Sequence, residues 1–499
     1  MKSFFAIILT ICLMASALCV AAFAADEPAT GVVLTVSALK KADGEVVKLE
    51  DYTSFEGGWN FAMEKAQDNE YLDTNQYDRV VIDLHVDWKA NAKGEFGDSD
   101  GVGFRQSTIY VPEGARVMLN MNGHTIDRGL GDNNELDGEV ICIEEDSDVI
   151  INGGKNGDAI ARADDTDATV QFGTITGGNS DNGAGGIHIQ DDARVTLNNV
   201  KIVGNVADGD DGGGIAMYDS ATLIMNGGGF LNNKNNSLAG AYGAAIHIYN
   251  CTAKFNKVLF SNNQFTYKSG EGAAIASQSD SVIEVNDCKF INNGNWDEDA
   301  GAKGAVSVIY MSNGQIDLKN TVFEENGSSE ENLFGARTLC VLVLYGAELS
   351  MDTCTFTQNN ARDYVINTHT GYSSEVFAYN STFTNNDGGV FMGDEAEFTN
   401  CTFDQNGGDY TFCVGMFVHY RFFLRNCSIG NSTFRNEGYV EIVDTDAPNG
   451  TGSIFGEGSL AMIVAILALA ASIASLFLTV AFNKKRGHMT EKETTENNE

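Results

Sequence analysis

Gly272-Ala273-Ala274-Ile275, followed by Ile283, Val285 and Phe290 and closed by Asn293, is one unit of a pattern that fills the middle of this chain. Its glycine-plus-apolar start recurs at Gly185-Gly186-Ile187-His188-Ile189, Gly213-Gly214-Ile215-Ala216-Met217 and Gly243-Ala244-Ala245-Ile246-His247. Its F-x-x-N end recurs as Phe230/Asn233, Phe260/Asn263, Phe323/Asn326, Phe356/Asn359, Phe383/Asn386 and Phe403/Asn406, with Ile202/Asn205 as an earlier copy. From Phe230 to Phe403 successive phenylalanines lie 30, 30, 33, 33, 27 and 20 residues apart. Self-similarity at such a period marks a repeat architecture.

Apolar residues alternate within each unit. Val195 and Leu197 lead to Val200 and Ile202, and Leu223 and Met225 lead to Phe230. A period of two predicts short half-buried strands, and the Asn-Gly and Asn-Asn pairs between them predict sharp turns. Three short strands per unit build one turn of a parallel β-helix, in which each strand pairs with its equivalent ~4.8 Å away. Equivalent side chains then stack. The phenylalanines are expected to form an inward ladder, each contributing roughly 1.5–3 kcal/mol of burial. Each asparagine three residues on is expected at a corner, with a left-handed backbone and an amide bonded to the next asparagine.

Composition agrees with this class. The 499 residues include 55 glycines and 3 prolines. Glycine serves the turns, and proline cannot donate to a ladder. Its scarcity excludes collagen and proline-rich linkers, while 43% hydrophobic residues exclude wholesale disorder. A net charge of −38 repels nucleic acid and anionic lipid surfaces, so neither is expected as a ligand.

Earlier, less regular turns are expected at Thr108–Val111, Arg116–Met121, Glu139–Ile143 and Asp148–Asn152. Before them, residues from Trp59 to Glu70 have helical spacing, and Val80, Ile82, Leu84, Val86 and Trp88 alternate as a strand. A solenoid leaves open ends, so residues 25–105 are read as a small α/β cap and 106–443 as the solenoid. Residues 1–24 have the charged start, apolar run and Ala22-Phe23-Ala24 cleavage site of a signal peptide. Residues 444–459 form a linker, and the uncharged run 460–482 is long enough for one transmembrane helix. Lys484-Lys485-Arg486 then places the tail, 483–499, in the cytoplasm. The expectation is a single-pass membrane protein with its N-terminal bulk at the cell surface.

The paired G-G-A-I-like and F-x-x-N motifs resemble those of the polymorphic outer membrane proteins, which are adhesins built on a β-helix. Leu119-Asn120-Met121-Asn122-Gly123-His124-Thr125-Ile126 resembles a stretch of bacterial right-handed, pectin-lyase-like surface proteins. The resemblance spans roughly residues 105–440 and implies a right-handed, all-β parallel β-helix solenoid with a surface role. One departure stands out: the outer-membrane family ends in a β-barrel, where this chain has a single apolar run.

Candidate chemistry is sparse. Once a signal peptide is removed, eight cysteines remain: Cys142, Cys251, Cys288, Cys340, Cys354, Cys401, Cys413 and Cys427. Cys288, Cys354 and Cys401 lie two before a ladder phenylalanine, and Cys427 two before Ile429, so they are read as inward and stacked. They serve there as small hydrophobes or as disulfides between adjacent turns. No C-x-x-C or C-x-x-H spacing indicates a metal site. Asp208, Asp210 and Asp211 are candidate Ca²⁺ ligands, and Asp297-Glu298-Asp299 is a similar loop. His188 and His247 hold related places in the turn-start motif, while Lys303, Arg337 and Arg362 have no evident partners. No catalytic or cofactor-binding residue is assigned. The expected function is an adhesin-like module binding glycans or surface proteins. The alternatives are a polysaccharide lyase or glycoside hydrolase, which needs paired carboxylates or a base beside cations, and a passive surface element.

Overall fold

The computed structural model describes residues 31–443 except 91–101, 106–107, 131–136, 156, 167–168, 182, 210, 238–240, 267–269, 295–306, 328–339, 362, 369–372, 416–420, 431 and 437–438. The signal sequence, the linker, the apolar run 460–482 and the tail lie outside the described residues, as do Asp210, Asp297, Glu298, Asp299, Lys303, Arg337 and Arg362. Among the described residues no helix is long and apolar enough to cross a membrane.

Each coil of the solenoid follows one plan. In one coil the strands are Ile215–Tyr218, Thr222–Asn226, Gly229–Leu231 and the short Lys234–Asn235. Each pairs in parallel with its equivalent one coil on: Ile246–Tyr249, Thr252–Asn256, Leu259–Ser261 and Gln264–Phe265. Among the described residues the third strands stack into an eleven-stranded sheet running from Trp88–Lys89 to Thr402–Asp404. In two later coils the first and second strands fuse across their corner, as Ser307–Lys319 and Cys340–Asp352.

The phenylalanines meet inside. Phe260, Phe290, Phe323 and Phe356 stack face to face at centroid separations of 4.5, 4.5 and 4.6 Å. Phe230, Phe383 and Phe403 extend the column at both ends. The separation is set by the backbone, because strands spaced ~4.8 Å apart leave room for one ring thickness and little slip.

The asparagines beside them, from Asn205 to Asn386, are buried, and their side chains bond along the column. Asn263 Nδ2 donates to the Phe230 carbonyl at 3.0 Å and to Asn293 Oδ1 at 2.8 Å, and its own Oδ1 accepts from Asn233. The same bonds link Asn205, Asn233, Asn263, Asn293, Asn326, Asn359, Asn386 and Asn406. One detail departs from the sequence expectation. The left-handed residue is the one before the ladder asparagine: Asn232, Asn262, Asn292, Glu325, Gln358, Asn385 and Gln405 have φ between 53° and 56°. The ladder residue is thus selected for its amide, and the corner is turned by a neighbour that varies more.

A second asparagine ladder runs along the ends of the second strands. Asn152, Asn198, Asn226, Asn256 and Asn286 each donate to the preceding member at 2.8–3.2 Å, starting from Asn120. Asn120 in turn donates to Asp83 at 2.8 Å, where the cap begins.

Among the described residues the N-terminal cap contains a three-stranded antiparallel sheet with two helices. β1 (Leu34–Lys40) lies between β2 (Val46–Tyr52) and β3 (Tyr77–Leu84). β3 then pairs in parallel with Arg116–Asn120 and so supplies the first rung of the solenoid. Between β2 and β3 run α1 (Phe55–Ala66) and α2 (Asn69–Thr74), so the helix predicted from Trp59 to Glu70 starts earlier and is broken. The Ser54 hydroxyl accepts from the Gly57 amide and caps α1, while Asp68 accepts from Tyr71 and starts α2. α1 buries Phe55, Trp59, Ala62, Met63 and Ala66 over the open end of the core. The predicted strand also stops short: Val80, Ile82 and Leu84 point inward, whereas Val86 is exposed.

The cysteines form part of a corner column. Backbone bonds place Val258, Cys288, Thr321, Cys354, Ser381, Cys401 and Cys427 one above another in successive coils. All eight described cysteines are free thiols.

Candidate functional site

The outer face of the first strands carries the most chemistry. Register puts Cys142, His188, Ala216, His247, Ala276, Tyr310 and Val343 in one outward row, one residue per coil. His188 and His247, alike in motif position, therefore stand two coils apart with Ala216 between them. The small alanines leave room for longer groups from neighbouring positions. Tyr218 fills the gap, edge-on to His188 at 5.4 Å and to His247 at 6.0 Å. Tyr242, from the next turn start, stacks on His247 at 5.5 Å and lies 6.0 Å from Tyr310, which meets Tyr345 at 5.6 Å.

Carboxylates edge this aromatic strip. Asp211 Oδ1 lies 3.2 Å from His247 Nδ1, and the other ring nitrogen lies 3.3 Å from Gln278 Oε1. Burial pushes the Asp211 carboxyl up, but hydrogen bonds from His247 and Tyr218 outweigh it and hold the group below its ordinary value. Glu271 behaves in the opposite way. Burial raises it, and a hydrogen bond from Tyr310 offsets only part of that. Glycine admits the turn starts to this face: a Cβ at Gly213 would lie 2.2 Å from the Lys234 carbonyl oxygen.

Two of the proposed Ca²⁺ ligands take separate partners. Asp211 is engaged by His247 and Tyr218, and Asp208 by Asn236 and Asn179, with burial raising its carboxyl. Asp210 lies outside the described residues.

A different group does converge. Glu139, Cys142 and His188 each present one donor atom, and these atoms all lie within 4.8 Å of one another. Sequence spacing missed it, because Cys142 and His188 are 46 residues apart and meet only through the register of adjacent coils.

Residues 98–323 match the family described as right handed beta helix region. The chain is a parallel β-helix protein. No curated protein and no solved structure matches it. The coils of this β-helix continue beyond the matched segment, through Thr355–Thr357, Thr382–Thr384 and Thr402–Asp404. The aromatic strip lies within the matched part, apart from Val343 and Tyr345.

Proposed function

We propose that this β-helix is the outward-facing part of a single-pass surface protein and binds a linear glycan along the strip from His188 to Tyr345. The observation that supports it most is the unbroken run of rings in which half-buried Tyr218 and Tyr242 lie against buried His247 and Tyr310, with Asp211 and Glu271 beside them. Aromatic faces accept the apolar faces of sugar rings, and carboxylates and amides accept or donate to hydroxyls. Groups repeated every ~4.8 Å favour a ligand that is itself a repeat. The anchoring rests on the apolar run 460–482 and the basic residues after it.

Charge narrows the ligand to neutral polysaccharides. A chain of net charge −38 repels polyanions, and the outward row from Cys142 to Val343 contains no lysine or arginine. The same facts weigh against a lyase acting on an acidic polysaccharide, which needs cations beside its base. The test is a glycan array probed with the full chain in detergent, with sugar release assayed in parallel. Binding to neutral glycans without release supports the proposal. Release of sugars would assign an enzyme, and no binding to any glycan would leave a passive surface element.

A further inference from the structure

At the N-terminal end of the strip, where His188 begins it, we infer that Glu139, Cys142 and His188 form a binding site for a divalent cation of the zinc type. Cys142 and His188 stand directly opposite each other on the paired strands Ile141–Ile143 and Ile187–Ile189, so one coil spacing sets their separation. The flanking isoleucines are buried, which fixes both backbones. Glu139 arrives from the preceding segment, whose backbone is held by the Thr108 hydroxyl, 3.0 Å from the Glu139 carbonyl, and by the Val140 amide, which donates to Gly186.

The donor types choose the metal. A thiolate, an imidazole and a carboxylate together suit zinc and its neighbours, whereas Ca²⁺ and Mg²⁺ take oxygen alone. With bonds of ~2.0–2.3 Å, tetrahedral ligand atoms lie roughly 3.5 Å apart, so donor atoms already within 4.8 Å of one another are about an ångström from sharing one ion. Three protein ligands leave a fourth position for water or a ligand atom.

The surroundings support those ligands. Gln190 Nε2 lies 3.6 Å from Cys142 Sγ and 3.3 Å from Glu144, and the Cys142 thiol in turn donates to Glu144 at 3.8 Å, a proton that metal binding would displace. His188 meets the edge of Tyr218, which is itself bonded to Asp211. A Cβ at position 183 would lie 2.8 Å from His188 Nδ1, so glycine there keeps that nitrogen clear. Arg128 is a cation that interacts with Glu139, and Asp137 interacts with Arg128 as well.

The experiment uses the full chain, stripped with a chelator and titrated with Zn²⁺ and, separately, with Co²⁺. One equivalent of Zn²⁺ is expected, and the Co²⁺ form should show the near-ultraviolet thiolate-to-metal absorption. Cys142→Ser should abolish that band and weaken Zn²⁺ binding at least about tenfold. His188→Ala should weaken binding similarly with the β-sheet circular dichroism unchanged. Glu139→Gln, at a half-buried position, gives the same reading should either of those variants misfold. Failure to bind Zn²⁺ at stoichiometric concentration would overturn the site. So would a cobalt spectrum without the thiolate band, or affinity unchanged in folded His188→Ala and Glu139→Gln.

Discussion

Asn263 Nδ2 lies 2.8 Å from Asn293 Oδ1, thirty residues on in sequence and one coil along the solenoid. That bond, with its equivalents in the neighbouring coils, sits in the core and leaves no amide atom of Asn263 without a partner. Replacing Asn263 with alanine would orphan the Asn233 backbone amide and one Nδ2 hydrogen of Asn233 in a place water does not reach, whereas Asn293 Oδ1 would keep the backbone amide of residue 263. The expected cost is about 2–4 kcal/mol, from ~1–3 for each buried group left unpaired. Asn256→Ala, in the half-buried second ladder, should cost about 1 kcal/mol. Urea unfolding of both variants checks the ratio. Equal losses would mean that the inner amides are solvated.

Phe290 has a ring 4.5 Å away on each side. Phe290→Ala should destabilise by about 3–5 kcal/mol, because strands held at fixed spacing cannot collapse into the gap. Phe290→Leu should cost less than half as much. Hydrogen exchange of the neighbouring coils reports the effect locally, since a solenoid transmits it to nearest neighbours first.

The phenylalanine and asparagine periods were legible in the sequence because both are in-phase spacings that need no knowledge of loop length. The second asparagine ladder was equally periodic, but Asn152, Asn198 and Asn226 read as turn residues, and a turn explains an asparagine without any ladder. Contacts between a turn start and the next coil were not legible. Asp211 reaches His247 across a unit whose length varies through the chain, so no fixed offset points to the pair. Glu139, Cys142 and His188 were hidden for the same reason, in coils too irregular to phase.

Burial pushes the thiols of Cys251, Cys288, Cys340 and Cys354 up to about 12. In the folded chain at about pH 8 these four should resist alkylation, since the thiolate is the reactive form. Cys401 and Cys427 share a hydrogen bond that raises the first and lowers the second. All eight should react in urea. Mass spectrometry of the native chain after a short pulse checks this, and rapid labelling of Cys288 would contradict its place in the corner column.

Glu271 is raised by burial, so its folded form holds a proton more tightly than its unfolded form. Stability is therefore lost as pH rises through the folded value and is kept below the ordinary carboxyl range. Glu271→Gln retains an oxygen for Tyr310 and removes the charge. It should raise the melting temperature at about pH 8 and leave it unchanged at about pH 3. The opposite pattern would place Glu271 in a partnership that favours its charge.

The strip on the outer face is the claim on which the functional reading stands. Its most direct test is equilibrium binding of the full chain to a neutral polysaccharide, comparing Tyr242→Ala on the strip with Ser261→Ala on the third sheet. The strip predicts that Tyr242→Ala weakens binding at least about tenfold, or ~1.4 kcal/mol, and that Ser261→Ala changes nothing. Equal affinity in both variants, or no binding by the unaltered chain, would contradict it.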